Sequence, residues 1–370
     1  MNTNSNQAPS RNPLIARLPK YNAGTSIAAA RQASGRGEVA ALASNENPYG
    51  CSPAVTEALR AFSPSRYSDP ASTALRGALA IHLDVPDSHI AVGNGSEDII
   101  AALSRAFLVA GDRVLTVIPS FGLHVIQPMA MGATVMTVPA TAACGFDVPA
   151  ILAALEQEPA IFFLSTPWNP VGPALTTQEL GNIVAAIRPR TLLVLDEAYF
   201  EFRDAAAPDG LEVLKDSSLS WAVLRTFSKA YGLAGLRAGY AIMSDPEIAR
   251  LVSLARTPFN VNAAAQTAAL AALADQAWMQ QTVKSITGDR EILRGSLQSL
   301  GLLVAPSQGN FLFIDTGKSA SGLAAALLKQ GIITKAWAEP GHTNFLRVSI
   351  GLREENARFA SALEELLASA

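Results

Sequence analysis

Between residues 53 and 255, short apolar runs alternate with stretches of helical periodicity. The runs are HIAVG, RVLTVI, TVMTV, AIFFLS, TLLVLD, WAVLRT and GYAIM. Several are apolar throughout instead of alternating with polar residues, as expected of strands covered on both faces. Helical stretches such as SPAVTEALRAF and EDIIAALSRAF lie between them. This alternation predicts an α/β fold with a mostly parallel central sheet and helices on both sides. Polar loops at the C-terminal strand ends are then the natural place for a ligand. From residue 260 the texture changes. A long Ala-rich helical region runs into DREILRGSLQSLG, followed by strand candidates NFLFID, GIITKAW and FLRVSI and a closing helix REENARFASALEELLAS. That pattern predicts a smaller α+β unit. The expected division is a large domain over 46–260 and a small one formed by 1–45 and 261–370.

With 370 residues, the chain can bury a large core. Its net charge of −3 argues against a nucleic-acid surface or a polybasic membrane patch. No apolar run reaches the roughly 18–20 residues needed to span a bilayer. The nearest, VNAAAQTAALAALADQAW, is interrupted by Asn262, Gln266 and Asp275 and reads as a packed helix. The N-terminus is polar, lacks the apolar core of a signal peptide and is expected to begin unstructured. Cys51 and Cys144 are far apart with no histidine in ligand spacing. They suggest two thiols in a reducing cytoplasm, with no disulfide framework and no metal site.

Chemistry collects at the expected strand ends. VGNGSEDII puts Gly93, Gly95 and Ser96 between a strand and a helix, where a helix N-terminus offers free N–H groups to a phosphate. The third glycine of a dinucleotide fingerprint is missing, and a plain strand-to-helix turn is the alternative. Asn169 follows an apolar strand between two prolines in STPWNPVG. Asp196 ends a very apolar strand, with Tyr199 three residues on. A carboxylate there is costly to bury without a partner such as a cationic heterocycle nitrogen; otherwise it caps the next segment. In LRTFSKAYGLAGLRAGY, Thr226, Ser228, Lys229 and Arg237 place two hydroxyls, an amine and a guanidinium on one loop. Together these meet the needs of pyridoxal phosphate: an amine for a Schiff base, a carboxylate at the ring nitrogen, donors at the phenolic oxygen and a phosphate cradle.

On the motifs NENPYG (45–50), NP.G at Asn169, DEAYFEF and RTFSKAYGLAGLRAGY, nearly the whole chain resembles fold-type I pyridoxal-phosphate aminotransferases, in particular the histidinol-phosphate aminotransferase family. The resemblance implies that Lys229 binds the cofactor covalently and moves the proton, while Asp196 keeps the ring nitrogen protonated. It implies that Asn169 and Tyr199 donate to the phenolic oxygen and that Phe121 stacks on the ring. The backbone N–H groups of Ser96 and Glu97, with Thr226, Ser228 and Arg237, would hold the phosphate. Tyr67 would reach the phosphate of the neighbouring subunit in a homodimer. Arg347 would bind the substrate anion, taking the glutamate carboxylate in one half-reaction and the substrate phosphate in the other. Tyr21 would close over the substrate.

The sequence departs from the family at Lys335 (usually Arg, helping Arg347 hold the substrate phosphate), His124 (often Tyr), Trp168 (Asn) and Ser68 (Pro). Lysine keeps the charge and loses bidentate geometry. His124 reads as a surface or packed histidine, and Trp168 as a cap on the pocket wall. Lys229 is expected to be neutralised by desolvation and by Arg237. Histidinol-phosphate transamination is the first expectation. An aromatic amino-acid aminotransferase, with Phe121, Trp168 and Trp337 around an apolar pocket, is the second. A decarboxylase of phosphorylated amino acids is the third. A cofactor-binding effector domain of a transcription regulator is the least expected of these, since the 44 residues before NENPYG carry no basic patch and no helix-turn-helix pattern.

Overall fold

The computed structural model describes residues 11–368. The expected unstructured start falls largely on residues 1–10, and the last residue of the expected closing helix is Ser369; both lie outside the described residues. The strands are β1 (Ala40–Ala41), β2 (Ile90–Gly93), β3 (Arg113–Ile118), β4 (Thr134–Pro139), β5 (Ile161–Ser165), β6 (Leu192–Asp196), β7 (Trp221–Thr226), β8 (Gly239–Met243), β9 (Leu303–Val304), β10 (Phe311–Asp315), β11 (Ile332–Ile333), β12 (Lys335–Ala336) and β13 (Phe345–Ser349).

β2 to β8 form one seven-stranded sheet in the order β2-β8-β7-β6-β5-β3-β4. Its apolar runs feed two cores. Phe162, Leu164, Leu193, Leu195 and Val223 pack on one face, and Ile161, Phe163, Leu192, Val194, Ala222 and Leu224 on the other. That two-sided burial is why β5 and β6 carry no outward polar residue. β3 to β7 pair in parallel, while β8 runs antiparallel between β7 and β2. The sheet is mostly parallel, as expected, and GYAIM is its one antiparallel strand. An apolar run has no direction; the stretch from Thr226 to Gly239 holds no α-helix to carry the chain across the sheet and returns it at the same end, so β8 lies antiparallel beside β7.

β9, β10, β12 and β13 form an antiparallel sheet in the order β12-β13-β10-β9, and β1 pairs in parallel with β11. The run GIITKAW, expected as one strand, divides at Thr334. Ile332 and Ile333 are buried beside Ala40 and Ala41, and the chain then crosses to set Lys335 opposite Arg347. The Ala-rich region is two helices, Ala263–Ala274 and Gln276–Ser299. Asp275 breaks them, capping the second through Trp278 N–H (3.3 Å) and accepting from Ser52 Oγ.

Candidate active site

β5, β6 and β7 end side by side, with Ser165 opposite Asp196 and Asp196 opposite Leu224. Beyond these ends lies a cavity of about 300 Å³. Every residue given a cofactor or substrate role by the family resemblance lines it except Tyr67.

The helix Ser96–Phe107 starts at Gly95, which has φ +78° and no side-chain cap. Its first residues, Ser96 and Glu97, line the cavity at the positive end of the helix dipole. A Cβ on Gly95 would strike the Arg237 guanidinium, so the glycine lets that side chain lie over the helix start. Arg237 reaches Glu97 Oε1 at 2.8 Å, the carbonyl of Ala234 at 3.2 Å and Ser228 Oγ at 3.4 Å. Thr226 Oγ1 accepts from Ser228 N–H (3.2 Å) and lies 3.1 Å from Ser228 Oγ. A backbone cradle, two hydroxyls and a guanidinium thus converge on one spot.

Lys229 Nζ donates to the carbonyl of Ser44 at 3.0 Å. Its pKa is lowered to about 8, first by burial and then by Arg347, with Arg237 a lesser contributor. Desolvation and Arg237 thus act on Lys229 in the expected direction, while the buried Arg347, unforeseen in this role, acts more strongly than Arg237, whose guanidinium is paired with Glu97.

Asp196 is 4% exposed. One oxygen accepts from Ala198 N–H (3.1 Å), a local turn bond, and the other lies 3.0 Å from His124 Nε2. His124 is buried and stacks on Phe163, with ring centroids 5.1 Å apart. It is packed, as read, and it also holds the carboxylate. The i, i+3 spacing from Phe121 was the available signal for it. Trp168 is corrected: it is fully buried on Phe146 with Nε1 donating to the Pro119 carbonyl (2.8 Å), and it does not line the cavity. Its bulk faces the core behind β5.

Arg347 is 5% exposed and donates to Asn169 Oδ1 and to the Ala43 carbonyl, both at 2.6 Å, while its buried Nε has no partner. Lys335, its cross-strand neighbour, donates to the Asn22 carbonyl (2.9 Å) and lies 5.7 Å from the rings of Tyr21 and Trp337. Burial, followed by Arg347, lowers its pKa to about 8. Tyr21 stands edge-on to Phe121 at 6.3 Å. Tyr67 is 86% exposed and stacks on Phe259 outside the cavity. Sequence reasoning also missed Asn45, whose Nδ2 donates to Tyr199 Oη at 2.8 Å. The quoted motif NENPYG contained it without assigning it a role.

The donor set fits pyridoxal phosphate. An amine whose neutral form is accessible, a buried carboxylate, an anion cradle at a glycine-opened helix start and a flanking aromatic ring surround one cavity. The chain matches the family described as aminotransferase class I and II over residues 38–363. It is 44% identical over 359 residues to histidinol-phosphate aminotransferase 3 of Rhizobium meliloti (strain 1021), covering 95% of this chain and 96% of that one. It is 41% identical to histidinol-phosphate aminotransferase 1 of Mesorhizobium japonicum, covering 95% and 97%. The crystal structure of histidinol-phosphate aminotransferase from Sinorhizobium meliloti in complex with pyridoxal-5'-phosphate superposes with a TM-score of 0.89 at 32% identity, covering 98% and 99%. With a lysine, an aspartate and an anion cradle gathered at the ends of a largely parallel sheet, and with relatives this close over nearly its full length, the chain belongs to the class I and II aminotransferases.

Proposed function

We propose that the protein uses pyridoxal phosphate to move an amino group between histidinol phosphate and the glutamate/2-oxoglutarate pair. The observation that carries the substrate is the cation pair Arg347 and Lys335, set opposite each other on β13 and β12 at the cavity wall. Two cations suit a phosphate better than one, and Arg347 alone suffices for a carboxylate.

Bound, the cofactor supplies a carbonyl carbon for the amine and a ring that takes up electron density from the substrate carbon. Ser96, Glu97, Thr226, Ser228 and Arg237 would hold its phosphate. Asp196 would hold a proton at the ring nitrogen, and His124 orients Asp196. Asn169 and Tyr199 would bind the ring oxygen, and Phe121 would cover the ring face. Lys229, depressed to about 8, has enough neutral amine near neutral pH to attack a carbonyl and then to carry a proton. Tyr21 and Trp337 line the cavity, where they would help to exclude water once a substrate is bound. The exposed Tyr67–Phe259 stack supports a homodimer in which Tyr67 completes the partner's phosphate site. A monomer in sedimentation with full turnover would sink that part.

The test is a single-turnover absorbance experiment on the cofactor-loaded protein. Histidinol phosphate should bleach the visible band rapidly and phenylalanine slowly. Rapid loss with phenylalanine alone would instead assign an aromatic amino-acid aminotransferase, which the rings of Phe121, Tyr21 and Trp337 would suit.

A further inference from the structure

The reaction above has no use for any residue of NENPYG, yet its first, Asn45, is tightly constrained. It is 1% exposed and lines the cavity. Its backbone is left-handed, with φ +52°, a conformation uncommon outside glycine and best tolerated by Asn and Asp. Its backbone N–H donates to Ser349 Oγ at 2.7 Å, and its carbonyl accepts from Asn310 Nδ2 at 3.0 Å. Ser349 Oγ lies 2.8 Å from Asn45 Oδ1, and Asn45 Nδ2 lies 2.8 Å from Tyr199 Oη.

These distances fix the direction of every proton in the chain of bonds. Ser349 Oγ already accepts from the Asn45 backbone, and its hydroxyl has no other hydrogen bond among the described residues. Ser349 is buried, so leaving that proton unused would cost about 1–3 kcal/mol. Its hydroxyl therefore donates to Asn45, and the atom receiving it is the carbonyl oxygen Oδ1. The other end of the amide, facing Tyr199, is then NH₂. An amide NH₂ only donates, so Tyr199 Oη is the acceptor there. A phenol has one proton, and with the Asn45 side occupied that proton is directed into the cavity.

We infer that Asn45 is a positioning residue that sets the polarity of Tyr199, holding it as a hydrogen-bond donor toward the cofactor's ring oxygen. The inference rests on the cofactor reading above. The relay begins at Ser349, two residues from Arg347 on β13. The strand that carries the anion-binding arginine is thus joined to both groups assigned to the ring oxygen, to Asn169 directly and to Tyr199 through Asn45. The charged and titratable groups facing the phenol are Arg347 from β13, Asp196 from β6 and Tyr21 from the N-terminal arm.

The experiment measures the pH midpoint of the cofactor's visible absorption band in the loaded protein. Asn45→Asp keeps shape and left-handed backbone but offers Tyr199 an acceptor, which draws the phenol proton away from the cavity. It is made in the wild-type and in the Tyr199→Phe backgrounds. The added carboxylate shifts the midpoint in both. Where Tyr199 is present, loss of its donation adds a further upward shift, expected to be about one pH unit. Asn45→Gly, which accepts the same φ, should raise the midpoint by less. A structural role alone would lower the melting temperature and leave the two backgrounds shifting equally; equal shifts overturn the inference. Absence of any visible band in the wild-type protein after incubation with pyridoxal phosphate would overturn the cofactor reading and the inference with it.

Discussion

Asp196 and Glu197 are adjacent acids at the end of one strand, yet they point to opposite faces of the sheet and live different lives. Glu197 is 2% exposed and fully engaged. Arg225 donates to it at 2.9 Å, and Gly210 N–H does so at 2.8 Å. Arg225 also reaches Asp209 at 2.7 Å and lies 3.4 Å over the ring of Phe200. Burial pushes the Glu197 carboxyl up while Arg225 pulls it back down, and Arg225 itself is held firmly cationic. On the cavity face, Asp196 has one histidine and one turn N–H, Lys229 has one carbonyl, and Arg347 keeps a buried Nε with no partner. The comparison separates two uses of a buried charge. A group whose valences are all spent inside the protein fixes the distance between strands; a group with valences left open waits for a ligand.

Four substitutions would break or sharpen that contrast. Lys229→Ala should lower transamination by more than about a thousandfold while noncovalent cofactor binding and stability persist; steady-state turnover near wild type would remove Lys229 from the chemistry. Arg225→Met should do the reverse. It strands Glu197 and should cost about 3–5 kcal/mol in a urea titration, most of it recovered in Arg225→Met/Glu197→Met. A single variant as stable as wild type would show that the opposite face is not structural. His124→Phe keeps the stack on Phe163 but removes the bond to Asp196, so turnover should fall roughly tenfold to a hundredfold, with a change in melting temperature too small to explain it. Unchanged turnover would make His124 mere packing. The smallest effect belongs to Lys335. It loses its charge as pH rises through about 8, so inhibition by inorganic phosphate should weaken about fivefold above that pH and stay flat in Lys335→Arg. Equal pH profiles would show that Lys335 does not face the anion.

The strands were legible because two-sided burial writes itself as uninterrupted apolar residues, and β5 and β6 are the clearest cases. Asp196 and Lys229 drew attention in the sequence because a charged residue at or just past the end of such a run needs a partner, but the same reasoning does not separate them from Glu197 and Arg225, whose partners lie inside the protein. Direction was not legible: nothing in GYAIM says that β8 runs backwards. Nor was the split of the run at Ile332–Ala336, since its two halves answer to partners 292 residues upstream and 12 residues downstream. Asn45 was hidden for the same reason. Its partners Tyr199 and Ser349 are 154 and 304 positions away, and an asparagine in a proline- and glycine-rich segment reads as a turn.

The antiparallel return of β8 has a mechanical consequence. Thr226 pairs with Gly239 and Arg225 with Tyr240, so the stretch carrying Lys229 and Arg237 hangs from two strands already bonded to each other. Twisting or breathing of the sheet moves both ends of that stretch as one. The stretch is therefore fastened like a handle riveted at both ends: its backbone cannot lift away from the sheet at one end without breaking the Thr226–Gly239 pairing that holds the other.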